Sequence, residues 1–167
     1  MPLIFVTTMN NVFLLLGSNL GDRRLLLQTA VTKIAERVGP VSEQSALYET
    51  QSWGKTGEPD FLNQVVFLKT QLSANKVLNE ILEIETSMGR IRDEKWGSRL
   101  IDIDILFYNN EVIKQNDLEV PHPNLHNRRF TLEPLVEIAP ELVHPLLNKT
   151  MLELKKDLTD DLLVKKL

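Results

Sequence analysis

The sequence predicts an α+β domain built on an antiparallel sheet. Apolar periodicity switches along the chain in the order strand, helix, strand, strand, helix, strand, which is the ferredoxin-like βαββαβ pattern. Both helical stretches are amphipathic, so the helices belong on one face of the sheet. After the sixth element comes a tail punctuated by Pro121, Pro123, Pro134, Pro140 and Pro145, which reads as C-terminal additions. The opposite face of the sheet then needs a ligand or a cover, and the tail could supply part of that cover.

Taken in order, residues 11–17 (NVFLLLG) read as a buried strand ending at Gly17. The turn SNLGDRR follows, with Asp22 as the N-cap. From 23 to 38, Leu26, Ala30, Ile34 and Val38 recur every four residues, with Leu27 and Val31 beside them, and this is a helix that Gly39-Pro40 stops. Residues 41–50 alternate loosely as a strand. Residues 51–60 hold two glycines and a proline and form a loop. Residues 61–72 are the next strand. Ser73 caps a second helix whose apolar positions are Val77, Leu78, Ile81, Leu82, Ile84 and Met88, with Gly89 suited to the position after its C-cap. Residues 90–98 are polar and aperiodic, a mobile loop. Residues 99–108 (RLIDIDILFY) are the clearest strand, and a turn at 109–112 leads to a short hairpin partner near Val112. Short helices are expected near 131–138 and 150–157. Residues 1–10 read as an N-terminal extension, with Met9 an alternative start, and 11–167 as a single domain.

A chain of 167 residues supports one compact core. Hydrophobic residues at 43% and charged residues at 25% are those of a globular protein. The absence of cysteine excludes disulfides, a thiolate nucleophile and cysteine-based zinc. His122, His126 and His144 lack HExxH spacing. A net charge of −4 argues against a general nucleic-acid partner, though not against a local positive cleft. The first residues carry no basic segment or A-x-A site, and the longest early apolar run, 12–16, is far short of a membrane span. The expectation is a cytoplasmic protein with no membrane partner.

Chemistry concentrates in the strand at 99–108. Alternation sends Ile101, Ile103 and Ile105 into the core and Asp102 and Asp104 to the other face, roughly 6–7 Å apart along the strand. Acids are poor strand formers, and two on one face repel. The pair is either the wet face of an amphipathic strand or a holder of hard divalent cations. Magnesium takes one or two carboxylates and completes its shell with water and phosphate oxygens. Arg90, Arg92 and Arg99 lie near the pair in sequence, and Arg128 and Arg129 come later. Guanidinium forks match phosphate oxyanions, so acids with arginines make the set phosphoryl transfer needs. Trp96, in the polar loop, either closes over something flat or anchors that loop, and Trp53 poses the same choice. Gly17-Ser18-Asn19-Leu20-Gly21 lacks the phosphate-loop spacings and reads as a structural turn. His122 either binds phosphate or holds a loop.

Five stretches in order, LGSNLGDR, YET…PDFLNQVV, GRIRDEKWGSRLIDIDILFY, VPHPNLHNRRF and PLVEIAPELVHP, resemble the motifs of the 6-hydroxymethyl-7,8-dihydropterin pyrophosphokinase family of folate biosynthesis. The similarity runs from about residue 11 to about residue 155. The resemblance implies a ferredoxin-like monomer that transfers diphosphate from ATP to the hydroxymethyl group of a reduced pterin, giving AMP and the pterin diphosphate. It implies two Mg²⁺ ions on Asp102 and Asp104, with Arg90, Arg92 and Arg99 stabilising charge. Thr50, Trp53, Phe61, Asn63, Trp96 and Phe130 would form the pterin pocket. Glu85, Arg92, Arg99, His122 and Arg128 would lie on the nucleotide side or help close the site. The loops at 51–60 and 90–98 would close over ATP and exclude water. The group that takes the hydroxyl proton is left open between an aspartate and a metal-bound water.

The chain departs from the family in places. Lys95 stands where an arginine usually precedes the tryptophan, and its loop is one residue shorter. Gln51 replaces a frequent proline, and Asp117 stands where some members have arginine. An ammonium is a looser phosphate ligand, so nucleotide affinity and loop closure are the features affected. Two other readings compete. One is a non-enzymatic module binding a small ligand or RNA through its sheet face, which would want exposed aromatics and a basic face where the acids stand. The other is a magnesium-dependent kinase that transfers only the γ-phosphate.

Overall fold

The computed structural model describes residues 3, 8–51, 59–89 and 100–167. The core runs β1 (Asn10–Ser18), α1 (Arg23–Arg37), β2 (Val41–Gln44), β3 (Tyr48–Thr50), β4 (Phe61–Thr70), α2 (Ala74–Ser87) and β5 (Asp102–Tyr108). The additions are β6 (Ile113–Lys114), β7 (Glu119–Val120), a 3-10 turn at Leu125–Asn127, α3 (Arg129–Ile138), α4 (Met151–Lys156) and β8 (Val164–Lys166). The sheet order is β5-β1-β4-β3-β8, β2 also pairs with β4, and every pairing in it is antiparallel. This is the α+β arrangement read from the sequence.

Both caps form as the sequence predicts. Leu25 N donates to the Asp22 carboxylate (3.1 Å), and Lys76 N donates to Ser73 Oγ (3.3 Å). Gly89 ends α2 with φ +89, a conformation that favours glycine.

The central strand β1 is apolar on both sides because both sides are covered. Val12, Leu14 and Leu16 join Leu27, Ala30 and Ile34 of α1 and Val77, Ile81 and Ile84 of α2 in the larger core. Leu15, with Val65 and Phe107, joins a second core against Leu125, Leu132 and Leu135 and, from α4, Met151 and Leu154. The C-terminal additions therefore cover part of the second face.

Four details differ from the sequence reading. The strand expected at 41–50 is two strands, because at Ser45 the side chain enters the ladder: Val65 N donates to Ser45 Oγ (3.0 Å) and Ser45 N donates to Val65 O (2.9 Å). The strand beginning at 61 stops at Thr70, whose hydroxyl donates to Val38 O (2.5 Å) and accepts from Leu72 N (3.1 Å). The hairpin partner expected near Val112 is absent from the main sheet; Ile113 and Lys114 pair instead with β7 in a separate ribbon. Asn109 turns the chain away there, with φ 50 and its side chain accepting from Asn11 N (2.8 Å). Finally, β8 pairs with β3 at the sheet edge, where the sequence signalled no strand.

Candidate active site

Register places the site. Side chains of directly paired residues share a face. Gly17 pairs with Asp102 on one side and Asn63 on the other, and Asn63 pairs with Tyr48. Leu15 pairs with Asp104 and with Val65. Asp102, Asp104 and Asn63 therefore lie on the face opposite α1 and α2, beyond the edge of the second core. Asp102 and Asn63 are two strand spacings apart, about 10 Å.

Gly17 makes that row possible. A Cβ there would meet Asn63 Oδ1 at 2.8 Å and Phe61 Cδ1 at 3.7 Å. The missing side chain lets the Asn63 carboxamide lie over β1. Asn63 Nδ2 donates to Thr50 Oγ1 (3.2 Å), and both residues are buried. Thr50 pairs with Phe61, which is half-buried. Spacing alone makes Gly17 part of a structural turn; its close approach to Asn63 depends on strand pairing, which spacing does not reveal.

Asp102 and Asp104 are half-buried, while Ile101, Ile103 and Ile105 are buried on the opposite side. The alternation breaks further along. Phe13 pairs with Phe107 but Leu14 pairs with Ile105, so Leu106 is an extra residue, and Leu106 and Phe107 both turn to the second core. Glu85, in the last turn of α2, is buried and reaches the acid-bearing strand through its backbone: Ile103 N donates to Glu85 Oε2 (3.2 Å).

His122 is tied down at two points. Its backbone N–H donates to Leu106 O (3.0 Å), and Nδ1 accepts from Asn124 N (3.2 Å). Nδ1 is thus an acceptor, and Nε2 carries the proton of the neutral ring. Burial, and then the positive charge of Arg128, push its pKa down to about 4, against the opposing pull of Asp102. His122 is therefore a neutral donor near both an acid and an arginine. The Arg128 guanidinium lies over the Phe130 ring, 5.5 Å from its centroid. Arg129 is used differently: its N–H donates to the Asp160 carboxylate (2.9 Å), and Nε and Nη2 donate to Asp160 O (3.2 Å each).

Thr50, Phe61, Asn63, Asp102, Asp104, Glu85, His122, Arg128 and Phe130 are thus placed. Trp53, Arg90, Arg92, Trp96 and Arg99, with Lys95 and most of the two loops, lie outside the described residues. A cavity of about 380 Å³ opens beside the β1–α1 turn, walled by Asn19, Arg23, Glu49 and Asp60, and neither acid of the pair lines it. Among the described residues no three His, Asp or Glu gather as a closed metal cage. No described helix is long and apolar enough to cross a membrane.

Comparison with known proteins gives this geometry a family. A sequence profile for 7,8-dihydro-6-hydroxymethylpterin-pyrophosphokinase (HPPK) matches residues 13–140. The 2-amino-4-hydroxy-6-hydroxymethyldihydropteridine pyrophosphokinase of Aquifex aeolicus is 42% identical over 151 residues, covering 90% of this chain and 94% of that protein. The enzyme of the same name from Haemophilus influenzae is 37% identical over 158 residues, covering 94% and 98%. An HPPK-DHPS chain of Plasmodium falciparum superposes with a TM-score of 0.72 at 21% identity, a likeness of fold, covering 90% of this chain and 44% of that one. The chain thus spans less than half of that solved chain. On the profile match and the identity over nearly its whole length, the chain belongs to the 7,8-dihydro-6-hydroxymethylpterin-pyrophosphokinase family.

Proposed function

We propose that the protein transfers diphosphate from ATP to the hydroxymethyl group of 6-hydroxymethyl-7,8-dihydropterin, yielding AMP and the pterin diphosphate for folate biosynthesis. The observation that carries this reading is the row Asp102–Gly17–Asn63 on one sheet face. It sets a hydrogen-bonding carboxamide about 10 Å from an acid pair, with only a glycine between them. Asn63, buried beside Thr50, suits the amide-like edge of a pterin, and half-buried Phe61 and Phe130 suit its ring faces. The hydroxymethyl oxygen would form a bond to the β-phosphorus. The bond from that phosphorus to the α,β-bridging oxygen would break, and AMP would leave with the bridging oxygen and its electron pair.

The donor set fits Mg²⁺. Two half-buried carboxylates at alternate strand positions are hard oxygen ligands, too few for a closed cage, which is how Mg²⁺ is held when phosphates complete its shell. Asp102 and Asp104 would hold two such ions, whose chemistry is to neutralise charge on the triphosphate. Neutral His122 and Arg128 would donate to phosphate oxygens from the nucleotide side, joined by Arg90, Arg92 and Arg99. Trp53 and Trp96 would complete the pterin pocket. The protein would act as a cytoplasmic monomer, without nucleic acid or membrane as partner. Product analysis with ATP, Mg²⁺ and the reduced pterin tests the reaction. AMP is expected; ADP would mean γ-phosphate transfer, and neither product would mean a binding module.

A further inference from the structure

Among the described residues, Glu85 is the only acidic side chain in the buried class, at 1% exposure. A carboxyl is almost never buried without a partner, because its desolvation is costly. Glu85 sits on the apolar face of α2 with Val77, Ile81 and Ile84, where a hydrophobic residue would serve the core. One group it reaches is the amide of Ile103, the residue between Asp102 and Asp104. β5 is the terminal strand of its sheet, so its outer N–H groups have no neighbouring strand. A second outer tie on this strand is His122 N donating to Leu106 O (3.0 Å). Glu85 and His122 therefore bracket Asp104. The bulge at Leu106, where the His122 tie falls, separates the acid-bearing half of the β1–β5 ladder from the rest.

We propose that Glu85 is a positioning residue for the acid pair: by accepting from the Ile103 amide it fixes the edge strand and so aims both carboxylates at the cations they would hold. The role rests on the reading of Asp102 and Asp104 as cation ligands, and it assigns Glu85 a task beneath the site. Mn²⁺ binding to the full chain with α,β-methylene-ATP, followed by electron paramagnetic resonance, tests it together with NMR exchange of the Ile103 amide. Glu85→Gln keeps a side-chain oxygen for that amide and is expected to bind Mn²⁺ much as wild type. Glu85→Leu is expected to weaken Mn²⁺ binding by about 10–100-fold, the range for outer-shell partners of metal ligands, and to speed Ile103 exchange. Wild-type affinity in the leucine variant would overturn the proposal. So would a glutamine variant as weak as the leucine one, since that would mean the charge itself contacts ligand. Should the leucine variant not fold, Glu85→Asp keeps the charge but shortens the reach by one methylene. Weakened binding there supports the role, and wild-type binding overturns it. A wild-type protein that binds no Mn²⁺ would instead strike the reading of the acid pair, and this role with it.

Discussion

Gly17 and Asp104 show how much single positions carry. Adding one methyl group at Gly17 would press a carbon to 2.8 Å from Asn63 Oδ1, and the neighbouring Phe61 ring leaves little room for retreat. Gly17→Ala is expected to swing the Asn63 carboxamide out of line. Losing one or two buried hydrogen bonds of about 1–3 kcal/mol should weaken pterin binding by roughly 10–100-fold. Affinity for an ATP analogue should change little, and calorimetry showing equal losses for both ligands would count against the pterin site. Asp104→Ala removes one of the two carboxylates proposed as cation ligands without touching the core side of β5, where Ile103 and Ile105 pack. The fold should survive, with turnover down roughly a thousandfold or more. A near-normal rate at limiting Mg²⁺ would refute the assignment.

At the scale of elements, the C-terminal tail supports β3, the strand that carries Thr50. α3 begins without a side-chain cap of its own. Asp160, from beyond α4, takes the Arg129 amide and so places a negative charge at the positive end of that helix. The same segment continues into β8, which pairs with β3 and so lies beside Thr50. Glu137 of α3 adds a second tie to β3, accepting from Tyr48 Oη (2.5 Å) and from Ala46 N. Asp160→Ala removes the cap but not the backbone contact to Arg129. The expected loss of about 1–2 kcal/mol lowers the melting temperature by roughly 2–8 °C for a chain of this size. A melting temperature unchanged within error would show that the tail is not coupled to the fold.

For the whole molecule, two histidines, half-buried His122 and buried His144, set the acid side of stability. His122 is pushed down to about 4 mainly by burial and then by Arg128, and His144 is pushed down by burial and by His126. Both folded-state values lie below the unfolded value of 6.5. As pH falls below 6.5 the unfolded chain takes up protons that the folded chain refuses, so stability declines from there toward pH 4. Tyr48 acts in the opposite sense: burial and Glu137 raise its pKa above the unfolded value of 10.0, so stability also declines as pH rises past 10. Thermal melts should show a plateau between these limits. A melting temperature that rises on acidification from 6.5 to 4 would contradict the lowered pKa of both imidazoles.

The sequence by itself determined the order of elements, the faces of both helices, the two caps and the outward aim of Asp102 and Asp104. Each of these follows from periods and caps that act within a few residues of the chain. Only the tertiary structure decided that Gly17 lies beneath Asn63, that Ser45 splits a strand, that Ile113 leaves the main sheet, that β8 joins β3, and that Glu85 meets the Ile103 amide. Apart from the Ile113–Val120 ribbon, those outcomes join positions 18 to more than 100 residues apart, through pairing register and a shared core, and no local pattern encodes the register between distant strands.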